Sequence, residues 1–165
     1  MIRLGFLIVA AASAICADGA SADEQLPTAI AAPNATMVTT FQAEGAQIYE
    51  CKADSAGKLT WQFREPIATL LQNGKTAGRH YTGPTWELTD GSLVTGKVAG
   101  SAPGASTADI AWLKLDVVKH EGNGLLSSVT TVQRINTHGG AAQGACDQAG
   151  SFQSVPYSAE YRFLK

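Results

Sequence analysis

Four separated stretches of this chain alternate apolar and polar residues with a period of two, the pattern of strands that bury one face. Leu59, Trp61 and Phe63 alternate with Thr60, Gln62 and Arg64, and Trp86 and Leu88 flank Glu87. Leu113, Leu115 and Val117 enclose Lys114 and Asp116, while Tyr161 and Phe163 alternate with Glu160 and Arg162. Between such stretches stand Asp54-Ser55-Ala56-Gly57, Asp90-Gly91 and Gly122-Asn123-Gly124, which supply residues that take positive φ cheaply, as tight antiparallel hairpins require. One stretch, 66–72, carries a helical signal: Pro66 can occupy a first helical position and Asn73-Gly74 can close the end. About eight to ten short strands with at most one short helix predict an all-β, antiparallel fold. A β-sandwich is the favoured architecture, because stretches 100–108 and 139–150 read as long irregular connections that cross between sheets. A small β-barrel, usually joined by short hairpins, is the alternative.

The amino-terminal residues predict a destination. Arg3 gives a positive start, residues 4–17 are almost wholly apolar, and Ala20-Ser21-Ala22 offers the small residues that signal peptidase accepts, so 1–22 reads as a secretory signal peptide. The apolar run is roughly fourteen residues, short of the ~20 that a membrane-spanning helix needs, and no membrane span is expected. Residues 23–40, rich in Ala, Pro and Thr, read as an extended lead-in, and 41–165 as a single β domain. The implied localisation is secreted or periplasmic. Cysteine placement agrees: with Cys16 removed, Cys51 and Cys146 remain as an even pair in an oxidising compartment, and a disulfide between them is expected. The formal net charge of −2 gives no electrostatic reason to expect nucleic acid as a partner.

Several motifs carry a resemblance. The run from Gly78 to Glu87 that contains His80-Tyr81-Thr82-Gly83-Pro84-Thr85-Trp86, then Asp90-Gly91-Ser92, Asp109-Ile110-Ala111-Trp112-Leu113 and Val132-Gln133-Arg134-Ile135-Asn136-Thr137 with Gly139-Gly140, resembles an uncharacterised family of secreted proteins of bacteria and fungi. The resemblance implies a secreted β-rich fold and transfers no catalytic residue. The name malate dehydrogenase, carried by some relatives, finds no support: no Gly-x-Gly-x-x-Gly opens a helix after a strand.

Candidate chemistry lies in the same stretches. His80, Tyr81, Trp86 and Glu87 in one, with Arg134, Asn136 and His138 in the other, would offer aromatic faces and forked donors if the two approached, a combination suited to sugars or aromatic ligands. The ordinary structural account has Tyr81 and Trp86 filling core, Arg134 on an exposed strand face and the Asn-Thr-His-Gly-Gly run serving a turn. His80, His120 and His138 lie too far apart in sequence to form a local ligand pair, so neither a metal nor another cofactor is expected. The expected function is a non-catalytic exported module that binds a small molecule, a glycan or a protein. The alternative is a secreted enzyme, either a hydrolase with paired carboxylates such as Glu87 and Asp90 or a metal-dependent oxidoreductase using His80 and His138.

Overall fold

The structure, a computed structural model, describes residues 26–165. The predicted signal peptide lies outside the described residues. Eight strands follow one another: β1 (Met37–Ala53), β2 (Leu59–Gln72), β3 (Lys75–Tyr81), β4 (Thr85–Leu88), β5 (Leu93–Ala102), β6 (Trp112–Glu121), β7 (Thr131–Gly139) and β8 (Phe152–Leu164). Each pairs antiparallel with its neighbours in sequence, and β8 returns to pair with β1 from Met37↔Leu164 to Glu50↔Phe152. The all-β expectation holds. The closure is that of the barrel, however, and the favoured sandwich is corrected: one sheet rolls up on itself because β1 has partners on both edges. The long connections 103–111 and 140–151 join strands of that one sheet, β5 to β6 and β7 to β8, and cross to no second sheet.

Stretch 66–72 is strand, not helix. Pro66 sits opposite Gln47 of β1, while pairing of β2 with β3 begins only at Ala68, so Pro66 stands where β2 has one neighbour and its missing N–H does least harm. Just before it the register passes from Ile48↔Glu65 to Tyr49↔Phe63, which leaves Arg64 as an extra residue. An added residue exchanges the two faces of a strand. Pro66, Ala68 and Leu70 therefore face inward beyond it, where Phe63 and Trp61 do so before it. The only helix among the described residues is a 3-10 turn, Thr28–Ile30.

Large side chains fill the lower barrel. Trp86 meets Tyr161 and Phe163 edge-on, with ring centroids 5.4 and 6.1 Å away, and Phe163 meets Phe41 at 5.6 Å. Leu126 and Val129, in the β6–β7 connection, are fully buried in the same cluster and close that end. Asp90 and Ser92 of the β4–β5 turn hold the connection in place: Leu125 N donates to Asp90 Oδ2 at 2.8 Å and Leu126 N to Ser92 Oγ at 3.2 Å. Outside the barrel, Ile30 packs with Ala102 and Ile135, and Gln133 Nε2 donates to the Ile30 carbonyl at 2.6 Å. Gly100 permits this cover, since a Cβ there would strike the Ala29 carbonyl.

At the other end the two long connections tie to each other and to β1. Ala141 N donates to Ala108 O at 3.1 Å and Tyr49 Oη of β1 to Gly140 O at 2.7 Å, while at the end of β7 Ile110 N donates to Gly139 O at 2.9 Å and Gly139 N to Asp109 Oδ1 at 2.6 Å. The expected disulfide joins Cys51, near the end of β1, to Cys146, with Cα atoms 5.8 Å apart. Charged residues such as Glu44, Arg79, Lys97 and Asp116 are exposed while the apolar cluster faces inward, the reverse of a membrane-spanning barrel. No helix among the described residues is long and apolar enough to cross a membrane.

Two stability predictions follow from these ties. Replacing both Cys51 and Cys146 with serine releases a crosslink spanning 95 residues, and urea denaturation is expected to record a loss of about 4–5 kcal/mol; a loss under about 1 kcal/mol would mean the backbone contacts of connection 140–151 suffice without it. Asp90→Ala removes a charged acceptor shared by Leu125 N, Ser92 N and Ser92 Oγ, with an expected cost of about 1–2 kcal/mol in the same assay.

Candidate functional site

Strand alternation sorts the candidate residues. His80 and Trp86 are register partners across β3 and β4 and both point inward, with 2 % and 1 % of their surfaces exposed. Tyr81 and Glu87, one residue further along each strand, stand on the outer wall. There Arg79 Nε and Nη2 donate to Glu87 Oε2 at 3.1 and 2.8 Å, and Tyr81 Oη donates to the same oxygen at 2.8 Å. Those hydrogen bonds, from Tyr81 first and then Arg79, hold the Glu87 carboxyl below its ordinary pKa. This trio is a satisfied surface cluster.

Inside, His80 stacks on Trp86 with ring centroids 4.6 Å apart and planes 10° from parallel. His80 Nδ1 lies 2.9 Å from the Thr85 carbonyl, which assigns the proton to Nδ1 and leaves Nε2 as an acceptor. Burial, opposed by the Thr85 carbonyl and helped by the charge of Arg134, depresses the His80 pKa to about 3. The ring is neutral at physiological pH.

Arg134 of β7 is the register partner of Tyr161 and also projects inward. Its Nε and Nη2 donate to the Ala111 carbonyl at 3.1 and 2.9 Å, and among the described residues it has no carboxylate partner. Its field reaches Tyr49, His80, Tyr157 and Tyr161. Burial nevertheless dominates for the three tyrosines and raises all their pKa values, so their hydroxyls stay protonated.

Around these groups the upper barrel holds a cavity of about 620 Å³ to which every strand contributes. Gln47, Tyr49, Phe63, Leu113, Leu115 and Tyr161 are among its walls. Phe63 and Val98 stand at its rim, 54 % and 52 % exposed. Thus His80, Trp86 and Arg134 come together, while Tyr81 and Glu87 face away and neither Asn136 nor His138 lines the cavity. Asn136 adopts φ 50° where the β7–β8 register shifts, with Nδ2 3.4 Å from Glu160 Oε2, and His138 is exposed. Of the two candidate stretches, one contributes His80 and Trp86 with the turn Thr82-Gly83-Pro84 between their strands, and the other contributes Arg134.

The cavity residues that sequence reasoning missed were within reach of the same alternation. Gln47 lies on the face of β1 that buries Phe41 and Ala43, and Tyr161 on the buried face already read for β8. The carboxylates named for a hydrolase are committed elsewhere, Glu87 to Arg79 and Tyr81, and Asp90 to the turn that ends at Ser92. Among the described residues no three His, Cys, Asp or Glu side chains gather as metal ligands would.

Comparison with known families matches residues 31–165 to a family described as "Protein of unknown function (DUF3455)". No curated protein matches the chain, and no solved structure does.

The buried imidazole gives stability a pH dependence with a definite sign. The unfolded chain takes up the proton near the ordinary His value, ~6.5, and the folded chain only near 3, so folding stability should fall as pH drops from about 6.5 toward 3, by up to about 1.4 kcal/mol per unit. Between pH 6.5 and about 4.5 the carboxylates contribute little. Thermal melts across that window should slope for the native chain and flatten for His80→Phe; an unchanged slope in the variant would assign it to another group.

Proposed function

The chain belongs to the DUF3455 family, and because that membership names no activity, we propose from the cavity that the protein is an exported binding module which takes one small, largely apolar molecule into the open end of its barrel. One observation carries this reading: the lower barrel is packed solid by Trp86, Phe163, Leu126 and Val129, whereas the upper barrel encloses about 620 Å³, within the range of small-molecule sites. An eight-stranded barrel is wide enough inside to hold one small ligand. The disulfide suits an oxidising compartment and supports export.

The chemistry of the wall favours a small apolar ligand over a glycan or a protein. Sugars present many hydroxyls that must each find donors and acceptors, and no Asp, Glu or Asn stands on this wall. A protein partner would need a broad exposed surface rather than an enclosed space. The enzyme readings have less support, since Glu87 and Asp90 lie off the cavity in satisfied clusters, and His80 is buried inside β3 while His138 of β7 is exposed.

Thermal-shift measurements with neutral apolar molecules test the reading. Ligand at 100-fold its Kd stabilises a binder by about 2.7 kcal/mol through mass action, so 2-naphthol or 1-decanol should raise the melting temperature of the native protein. Leu113→Trp, which fills the cavity from β6, should abolish the rise. No rise with either compound, or an equal rise in the filled variant, counts against the cavity as the binding site.

A further inference from the structure

We infer that the ligand is an amphipathic anion, an apolar body carrying one oxyanion such as a carboxylate, whose charged head is held inside the barrel by Arg134 together with the N–H donors of Trp86 and Gln47. The inference rests on the cavity being the binding site and goes on to name the class of molecule. Its first support is charge. Arg134 is a cation on the wall of an enclosed space where no carboxylate stands, and the tyrosines and the histidine around it are neutral. Arg64, the other cation on the wall, is drawn off at the rim by Glu65 at 3.3 Å and by the Phe152 ring, 4.9 Å from the guanidinium carbon.

The second support is an excess of unpaired donors. Trp86 Nε1 and Gln47 Nε2 are buried, belong to residues on the cavity wall, and have no protein acceptor. Gln47 approaches Tyr157 closely enough to lower its pKa but not in hydrogen-bonding geometry. A buried N–H without an acceptor is costly, so two such groups in the same cavity as a guanidinium without an acid point to a ligand that brings acceptors. Arg134 is also held in place. The Ala111 carbonyl accepts from Nε and Nη2 and fixes the plane of the guanidinium, which also reaches the Tyr161 hydroxyl and, among the described residues, has no carboxylate to satisfy its charge.

The third support is the remainder of the wall. Phe63, Leu113, Leu115 and the Trp86 ring are apolar, so a small inorganic anion would leave most of the cavity unfilled, whereas an apolar tail reaching toward Phe63 and Val98 at the rim would cover them. Charge and shape together select a head-and-tail molecule.

A matched pair of fluorescent probes separates head from tail: 1-anilinonaphthalene-8-sulfonate and N-phenyl-1-naphthylamine share one aromatic body, and only the first carries an oxyanion. Titrated into the disulfide-bonded mature chain, the sulfonate should bind at least about tenfold more tightly than the neutral amine. Arg134→Gln should erase that difference. Because loss of Arg134 could also disturb folding, Gln47→Glu serves as a second variant: it is close in size, places a competing negative charge on the wall, and should weaken the sulfonate by about tenfold or more relative to the amine. Equal binding of both probes to the native protein overturns the anion inference and leaves the apolar cavity standing. Binding of neither overturns both. Sulfonate binding that survives in the two variants overturns the assignment to Arg134.

Discussion

Pairing of β1 with β2 on one side and β8 on the other is the constraint from which the rest of the structure follows. A sheet closed in this way has no free edge, and every strand must present one face to an interior only as wide as eight strands allow. Such a lumen is either filled by side chains or left with room for one small molecule. This barrel divides the two outcomes along its axis. At one end the aromatic cluster around Trp86 and the Leu126–Val129 segment fill it; at the other, the connections 103–111 and 140–151 are bound to each other and to β1, and so frame the mouth instead of collapsing into it.

Closure also explains what the sequence revealed and what it concealed. The alternating segments around Trp86, Leu115 and Tyr161 announced their buried faces, and two cysteines in a predicted exported chain announced their bond. The long connections were misleading because the length of a loop does not state whether the strands it joins are neighbours. Here the added residues go into hydrogen bonds between loops, such as Ala141 N to Ala108 O at 3.1 Å, which no local pattern encodes. The extra residue at Arg64 was equally hidden. Nothing in Phe63-Arg64-Glu65 marks a bulge, yet it decides that Phe63 lines the mouth while Pro66 and Ala68 face the core beyond it.

The candidate site shows the same division at the scale of single residues. Grouping His80, Tyr81, Trp86 and Glu87 by proximity in sequence mixed two environments that a period of two keeps on opposite sides of one wall. Sorted by parity, His80 and Trp86 pass inward to join Arg134, and Tyr81 and Glu87 pass outward to Arg79. Which residues lie across the lumen from them is a different matter. Gln47 and Arg134 stand far apart in sequence, and only the completed circuit of strands brings them to one cavity.

Placing a guanidinium in that cavity without an acid beside it is energetically awkward, and the surroundings show how the protein tolerates it. Desolvation of a cation is offset here by oriented oxygen rather than by opposite charge: the Ala111 carbonyl accepts two N–H groups, and the tyrosine hydroxyls lie within the field of the charge. A carboxylate partner would have neutralised Arg134 more fully and would also have taken up donors that an incoming oxyanion needs. His80 is held to the same purpose. Burial and the nearby charge both act against its protonation, so it adds no second cation, and the Thr85 carbonyl fixes which ring nitrogen bears the proton. A wall with one positive charge unpaired by an acid, neutral aromatic neighbours and unpaired donors is stable enough to fold, yet short of acceptors in a way that a ligand of the right sign can remedy.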